Sequence, residues 1–202
     1  KIAGPGGYTS SSLGTVTYKK DISAVVDTIS PRYDTYQGGN TITFTGTFNT
    51  GDSVTVKLDG VTCTSPTVSS ATTLTCTTGT RSYSSTDHET KIEFTESGTS
   101  NTYTALIKST ASFKYGKSWK HRDTWSTDLA PRDGNSVAVL PGETLIVDID
   151  ESPQLKAIIV QGSLVFLPSS DASHHRTFDA EYIFLDKGAT MEVGTEDERY
   201  TS

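Results

Sequence analysis

Few residue groups in this chain have the types and spacing to do chemistry. Asp148, Asp150 and Glu151 make one acidic group, and Glu196-Asp197-Glu198 makes another. Calcium takes about six to eight oxygen ligands, and strand alternation would point Asp148 and Asp150 to the same side. Neither group has the loop spacing of a calcium-binding motif. Asp148, Asp150 and Glu151 are therefore weak calcium candidates, set against a solvated acidic face. His174-His175, with Asp171 and Asp179, offer metal ligation or acid–base work. They follow Pro168-Ser169-Ser170-Asp171-Ala172-Ser173, which reads as a solvated polar loop. His88 also sits in a polar run. His121-Arg122-Asp123 lies between Trp119 and Trp125 and reads as a polar shell that orients them. Tryptophan and tyrosine line sugar-binding surfaces, but anchoring a domain junction is the commoner role. Phe113, Tyr115, Trp119 and Trp125 are read as junction aromatics. Local spacing shows no Ser/His/Asp set. Gly4-Pro5-Gly6-Gly7 precedes a strand instead of following one, so it is no phosphate loop. No catalytic residue, metal or cofactor is assigned.

Cys63 and Cys76 are the only cysteines. They fit no zinc spacing, which needs four close ligands. Each lies in an alternating Thr-rich run, Val61-Thr62-Cys63-Thr64 and Thr73-Leu74-Thr75-Cys76-Thr77. Two strands joined by a loop could bring these side chains face to face, and closing that loop would stabilise the domain by on the order of 3 kcal/mol. Two buried thiols are the alternative. A disulfide would imply an oxidising compartment. Asn40, Asn49, Asn101 and Asn135 all fail the Asn-x-Ser/Thr pattern, so a glycoprotein character would rest on O-linked sugars.

These groups must be held by strands. Apolar residues are 33% of the 202, charged residues 20%, and Ser plus Thr fill 59 positions. Thr is β-branched and favours strands. No segment shows helical periodicity, and no apolar run is long enough for a membrane span. The net charge of -7 argues against nucleic acid as a partner. Residues 1–113 carry 8 basic and 9 acidic groups, and residues 114–202 carry 9 and 15, so the field is concentrated in the second part. Lys1-Ile2-Ala3-Gly4-Pro5 has no apolar signal-peptide core and no initiating Met, and the reading is of a piece of a longer polypeptide.

The alternation marks two sets of elements. In the first, strands are expected around 13–18, 25–29, 42–48, 54–58, 61–64, 74–76, 91–95, 103–107 and 111–115. Short strands at this spacing with turn signals indicate a β-sandwich. In the second, strands are expected at 136–140, 144–148, 155–160, 163–166, 181–185 and 190–193. Several are apolar at consecutive positions, and Gly marks the corners, which suits stacked coils of a β-roll or β-helix. Gly14-Thr15-Val16-Thr17-Tyr18 echoes Ala111-Ser112-Phe113-Lys114-Tyr115, so the first strand is either the end of a preceding module or an ordinary N-terminal strand.

Residues 28–113 resemble an IPT/TIG domain, an immunoglobulin-like fold, through Ile29-Ser30-Pro31-Arg32, Gly38–Gly46, Val54–Cys63 and Leu74-Thr75-Cys76. Residues 117–202 resemble a G8 domain through Ser118-Trp119, Asp123-Thr124-Trp125, Pro131–Val137, Leu140-Pro141-Gly142, Val147–Asp150, Ile158–Leu164 and Met191–Glu198. An IPT array running into a G8 domain is the layout of the fibrocystin-like family of cell-surface proteins. The resemblance implies an all-β chain: a lead segment at 1–27, an immunoglobulin-like sandwich at 28–115 and a G8 module at 116–202. It further implies that Cys63 and Cys76 are bonded.

The function expected from this is an extracellular or cell-surface structural and adhesion module, without a reaction of its own. Its partners would be other domains of the same or neighbouring polypeptides. The orphan strand at 13–18 suggests self-assembly into a filament by strand addition. The alternative is a non-catalytic, substrate-engaging part of a hyaluronan- or glycan-processing enzyme, because some G8-bearing relatives depolymerise hyaluronan. That reading needs Arg122, Arg132, Arg176 and Arg199 on one face.

Overall fold

The computed structural model describes residues 24–83, 88–125, 129–167 and 176–194. The expected strand at 13–18, His174-His175 with Asp171, Arg199 and the group Glu196-Asp197-Glu198 lie outside the described residues. The described part is built from strands, with one 3-10 turn at Arg122–Thr124.

The sandwich contains β1 (Val25–Ser30), β3 (Thr41–Thr47), β4 (Ser53–Leu58), β5 (Val61–Thr62), β6 (Thr64–Ser70), β7 (Thr73–Thr77), β8 (Lys91–Thr95), β9 (Thr102–Thr104) and β10 (Leu106–Ile107), while β2 (Tyr33–Thr35) leaves it for the junction. One sheet has the order β10-β1-β3-β7-β6 and the facing sheet β5-β4-β8-β9. Alternation explains the faces: Ile42 and Phe44 are buried while Thr41 and Thr45 are exposed, and Val56 and Leu58 are buried between exposed neighbours. These residues meet Val26, Leu74, Ile92 and Phe94 in one core. The run expected as one strand at 103–107 divides at buried Ala105, so β9 and β10 belong to different sheets. Strand β6 gives little sequence signal, because it holds Pro66 and a single aliphatic residue, Val68. Its place at a sheet edge is where proline is tolerated.

The second part stacks coils. After β11 (Lys114–Ser118), each coil gives one strand to each of two parallel sheets: β12 (Ser136–Val139) and β13 (Thr144–Val147), then β14 (Leu155–Val160) and β15 (Ser163–Phe166), then β16 (Ala180–Leu185) and β17 (Thr190–Val193). Val137, Val139, Leu145, Val147, Ile158, Val160, Leu164 and Phe166 fill the space between the sheets. Gly162 turns the middle coil where a Cβ would lie 2.3 Å from the Glu143 carbonyl oxygen and 2.4 Å from that of Leu140.

The segment read as the last sandwich strand, 111–115, behaves otherwise. The strand starts later, at Lys114, and runs to Ser118. It pairs in parallel with β2 through Lys114–Gly116 and with β13 through Lys117–Ser118. The sheet order β17-β15-β13-β11-β2 therefore carries a strand of the first unit into the coil stack of the second. Among the described residues, no helix is long and apolar enough to cross a membrane.

Candidate functional site: the junction and the first coil

The junction is built on β11. Tyr36 N–H donates to the Gly116 carbonyl at 3.0 Å, and Lys114 N–H donates to that of Arg32 at 3.0 Å. A Cβ on Gly116 would come within 2.8 Å of the Ile146 side chain, so glycine allows β11 and β13 to lie this close. Ile146 and Val165 are on the outward face of their sheet yet fully buried. On that same face the Tyr33 hydroxyl donates to Glu192 Oε2 at 2.8 Å, and Arg32 stands 4.0 Å from Glu192 Oε1. The sandwich thus packs over the outside of the coil stack. Burial, reinforced by the bond to the Glu192 carboxylate, pushes the Tyr33 hydroxyl up to about 12.

A second set of contacts closes the other side. Lys117 Nζ donates to Glu143 Oε1 at 2.7 Å and lies 4.7 Å from the centre of the Tyr83 ring. Tyr83 donates to the same carboxylate oxygen at 3.4 Å. Behind them Arg81 forms a buried ion pair with Asp59 and lies against the rings of Tyr36 and Tyr115. Asp59 also accepts the His88 backbone N–H at 2.6 Å.

The four junction aromatics do not form one cluster. Phe113 and Tyr115 meet edge to face at 5.1 Å in the sandwich core, where Tyr115 donates to the Gly79 carbonyl. Trp119 and Trp125 meet at 4.9 Å at the coil core, with Phe178 on the other side of Trp119. Trp125 Nε1 donates to the Trp119 carbonyl at 3.0 Å. They brace the junction from its two ends. The residues that cross it are Tyr33, Lys117, Glu143 and Glu192. Sequence reading had no signal for these, since each lies far along the chain from its partner.

The acidic group is spread out. Strand β13 ends at Val147, so alternation does not extend to Asp148 and Asp150. Asp148 accepts Ser118 Oγ at 2.6 Å and the Lys120 N–H at 3.2 Å. Asp150 faces Arg176 at 3.7 Å, and Glu151 is exposed. A cation here would compete with those donors for the same oxygens. Among the described residues, no three His, Cys, Asp or Glu side chains are grouped to hold a metal ion. Cys63 and Cys76 are joined in a buried disulfide with a Cα–Cα distance of 5.8 Å. Arg122 lies beside Asp123, and Arg176 also donates to the Leu167 carbonyl, so these two are engaged locally.

Two hollows flank the junction. A cleft of about 490 Å³ lies between the two units, walled by Tyr36, Gln37, Tyr83, Lys117, His121 and Asp123. A groove of about 520 Å³ runs beside β12, with Lys117, Trp125, Leu129 and Leu145 on its far side.

The IPT/TIG domain family model matches residues 24–115, and the G8 domain family model matches residues 124–202. The chain is an IPT/TIG domain followed by a G8 domain. The TIG domain is the sandwich, the G8 domain is the coil stack, and β11 begins in the first match and ends beyond it. Fibrocystin-L of Homo sapiens is 28% identical over 86 residues, which are 43% of this chain and 2% of that protein. Fibrocystin-L of Mus musculus is 24% identical over 86 residues, again 43% of this chain and 2% of that protein.

Proposed function

We propose that the TIG–G8 pair is a rigid, non-catalytic structural and adhesion segment of an extracellular or cell-surface protein. The observation that carries this reading is the strand β11, whose backbone is hydrogen-bonded to both domains at once. A flexible linker would leave the domains free to turn. Here the connection is itself a sheet strand, clamped by Tyr33–Glu192 and Lys117–Glu143. The buried disulfide suits an oxidising compartment, and the tandem of domain families supports a surface location. Small-angle scattering tests the reading. One extended particle of fixed shape is expected, and a profile requiring an ensemble of domain orientations would contradict it.

A second reading, engagement of a glycan, is favoured by the interdomain cleft, where Tyr36 and Tyr83 meet edge to face at 5.9 Å among polar side chains. The negative charge of the G8 half disfavours polyanionic sugars. Retention on immobilised hyaluronan or heparin at low salt would support this second reading, and flow-through at low salt is expected of the first.

A further inference from the structure

The coil stack is one strand short. The first coil places β11 in one sheet but supplies nothing to the facing sheet, so β12 is an edge strand. All four residues of β12, from both of its faces, line the groove beside it. Only a channel along the free edge has that property. The bonds to β14 are made at odd positions: Lys156 N–H to the Asn135 carbonyl, and Gln161 N–H to the Val139 carbonyl. The N–H and carbonyl of Ala138 therefore point into the groove. Its walls are apolar at Val137, Val139, Leu145 and Trp125.

We infer that this groove takes a β-strand from a second copy of the chain, and that the strand is Leu13-Gly14-Thr15-Val16-Thr17-Tyr18. The inference rests on the structural reading above and adds the partner. Three observations select the occupant. First, the segment alternates and is about the length of the strand it would join. Second, residues 1–20 carry three lysines and no acidic group, while residues 114–202 carry 9 basic and 15 acidic groups, so donor and acceptor are complementary in charge. Third, β1 runs toward the junction, which puts Ala24 at the far pole of the sandwich, six residues of strand away. Tyr18 lies six residues before Ala24 and can return at most about 20 Å. That reaches only the level of the junction, short of its own β12. The donor sits at one pole and the acceptor beyond the other, so the contact is head-to-tail and propagates into a polar filament. Added main-chain bonds give the affinity, and Val16 and Tyr18 against the apolar wall give the register.

Two substitutions in the full chain test this by sedimentation velocity. V16P disables the donor strand, and A138P removes the acceptor N–H while sparing the β14 ladder. The unsubstituted chain is expected to form oligomers that grow with concentration. Each variant alone is expected to associate at least ten-fold more weakly. Mixed together, V16P keeps its groove and A138P keeps its strand, so they are expected to form a discrete 1:1 dimer. That complementation also shows that both variants fold. The inference is overturned if the unsubstituted chain stays monomeric at the highest concentration, if either variant assembles like it, or if the mixture does not combine. Scattering from monomeric V16P scores the rigid-segment reading independently.

Discussion

Arg81 and Asp59 are the buried charges on which the sandwich side of the junction rests. Asp59 is 2% exposed and Arg81 7%. Removing one partner of such a pair leaves the other charged and desolvated, which costs about 3–5 kcal/mol. Asp59→Ala is therefore expected to lower stability by roughly that amount, read from the midpoint of urea unfolding. Replacing Cys63 and Cys76 together with Ala is expected to cost about 3 kcal/mol for a loop of this length, and non-reducing mass mapping should show the Cys63–Cys76 peptide in the parent. Tyr33 gives a pH signature. Its hydroxyl ionises near 10 in an unfolded chain but is pushed up to about 12 in the folded one, by burial and then by Glu192. The folded state thus holds the proton more tightly. The stability this contributes is present below pH 10 and is lost as pH rises toward 12. Tyr103 and Tyr115 are raised in the same direction, mainly by burial. Alkaline unfolding should therefore begin above pH 10, and Tyr33→Phe should remove part of that dependence. The cysteine pair was legible from residues alone as one of two alternatives, because both cysteines sit in Thr-rich strand patterns. The Arg81–Asp59 pair was not, because Asp59-Gly60 carries a strong turn signal and nothing local marks its partner.

At the scale of elements, hydrophobic alternation was a good guide wherever one strand face met a core and the other met water. Strands β3, β4, β7, β8 and β12–β17 were legible for that reason. Strand β6 was not, since an edge strand rich in Ser and Thr with a proline leaves almost no period to detect. Strand β2 is only three residues long, and its pairing is fixed by tertiary contact with β11. The candidate acidic site fared similarly: its residues were visible, but the end of β13 at Val147 separated them. Two glycines test the packing argument. Gly162→Ala would drive a Cβ into two carbonyl oxygens of the turn before it, and a loss of about 1–3 kcal/mol or more is expected from thermal unfolding. Gly116→Val would press on Ile146 between β11 and β13, and faster amide exchange is expected at Lys117–Trp119 before either core is affected.

At the scale of the whole molecule, the exposed end of the stack is as informative as the junction. Ile183, Leu185, Met191 and Val193 occupy positions equivalent to buried Ile158, Val160, Leu164 and Phe166 in the coil before, yet are largely exposed. A coil stack without a further layer leaves its last inward row open, and this explains an apolar surface that scattered hydrophobic residues would not. The rigid union of the two domains is the premise of the proposed role, because a spacer transmits orientation only if its parts cannot turn. Backbone residual dipolar couplings, collected for both domains in one weakly aligned sample, address that premise most directly. A single alignment tensor should fit the TIG and G8 amides together, with β11 included. Two tensors of different magnitude would mean that the domains reorient independently, and the account would be wrong.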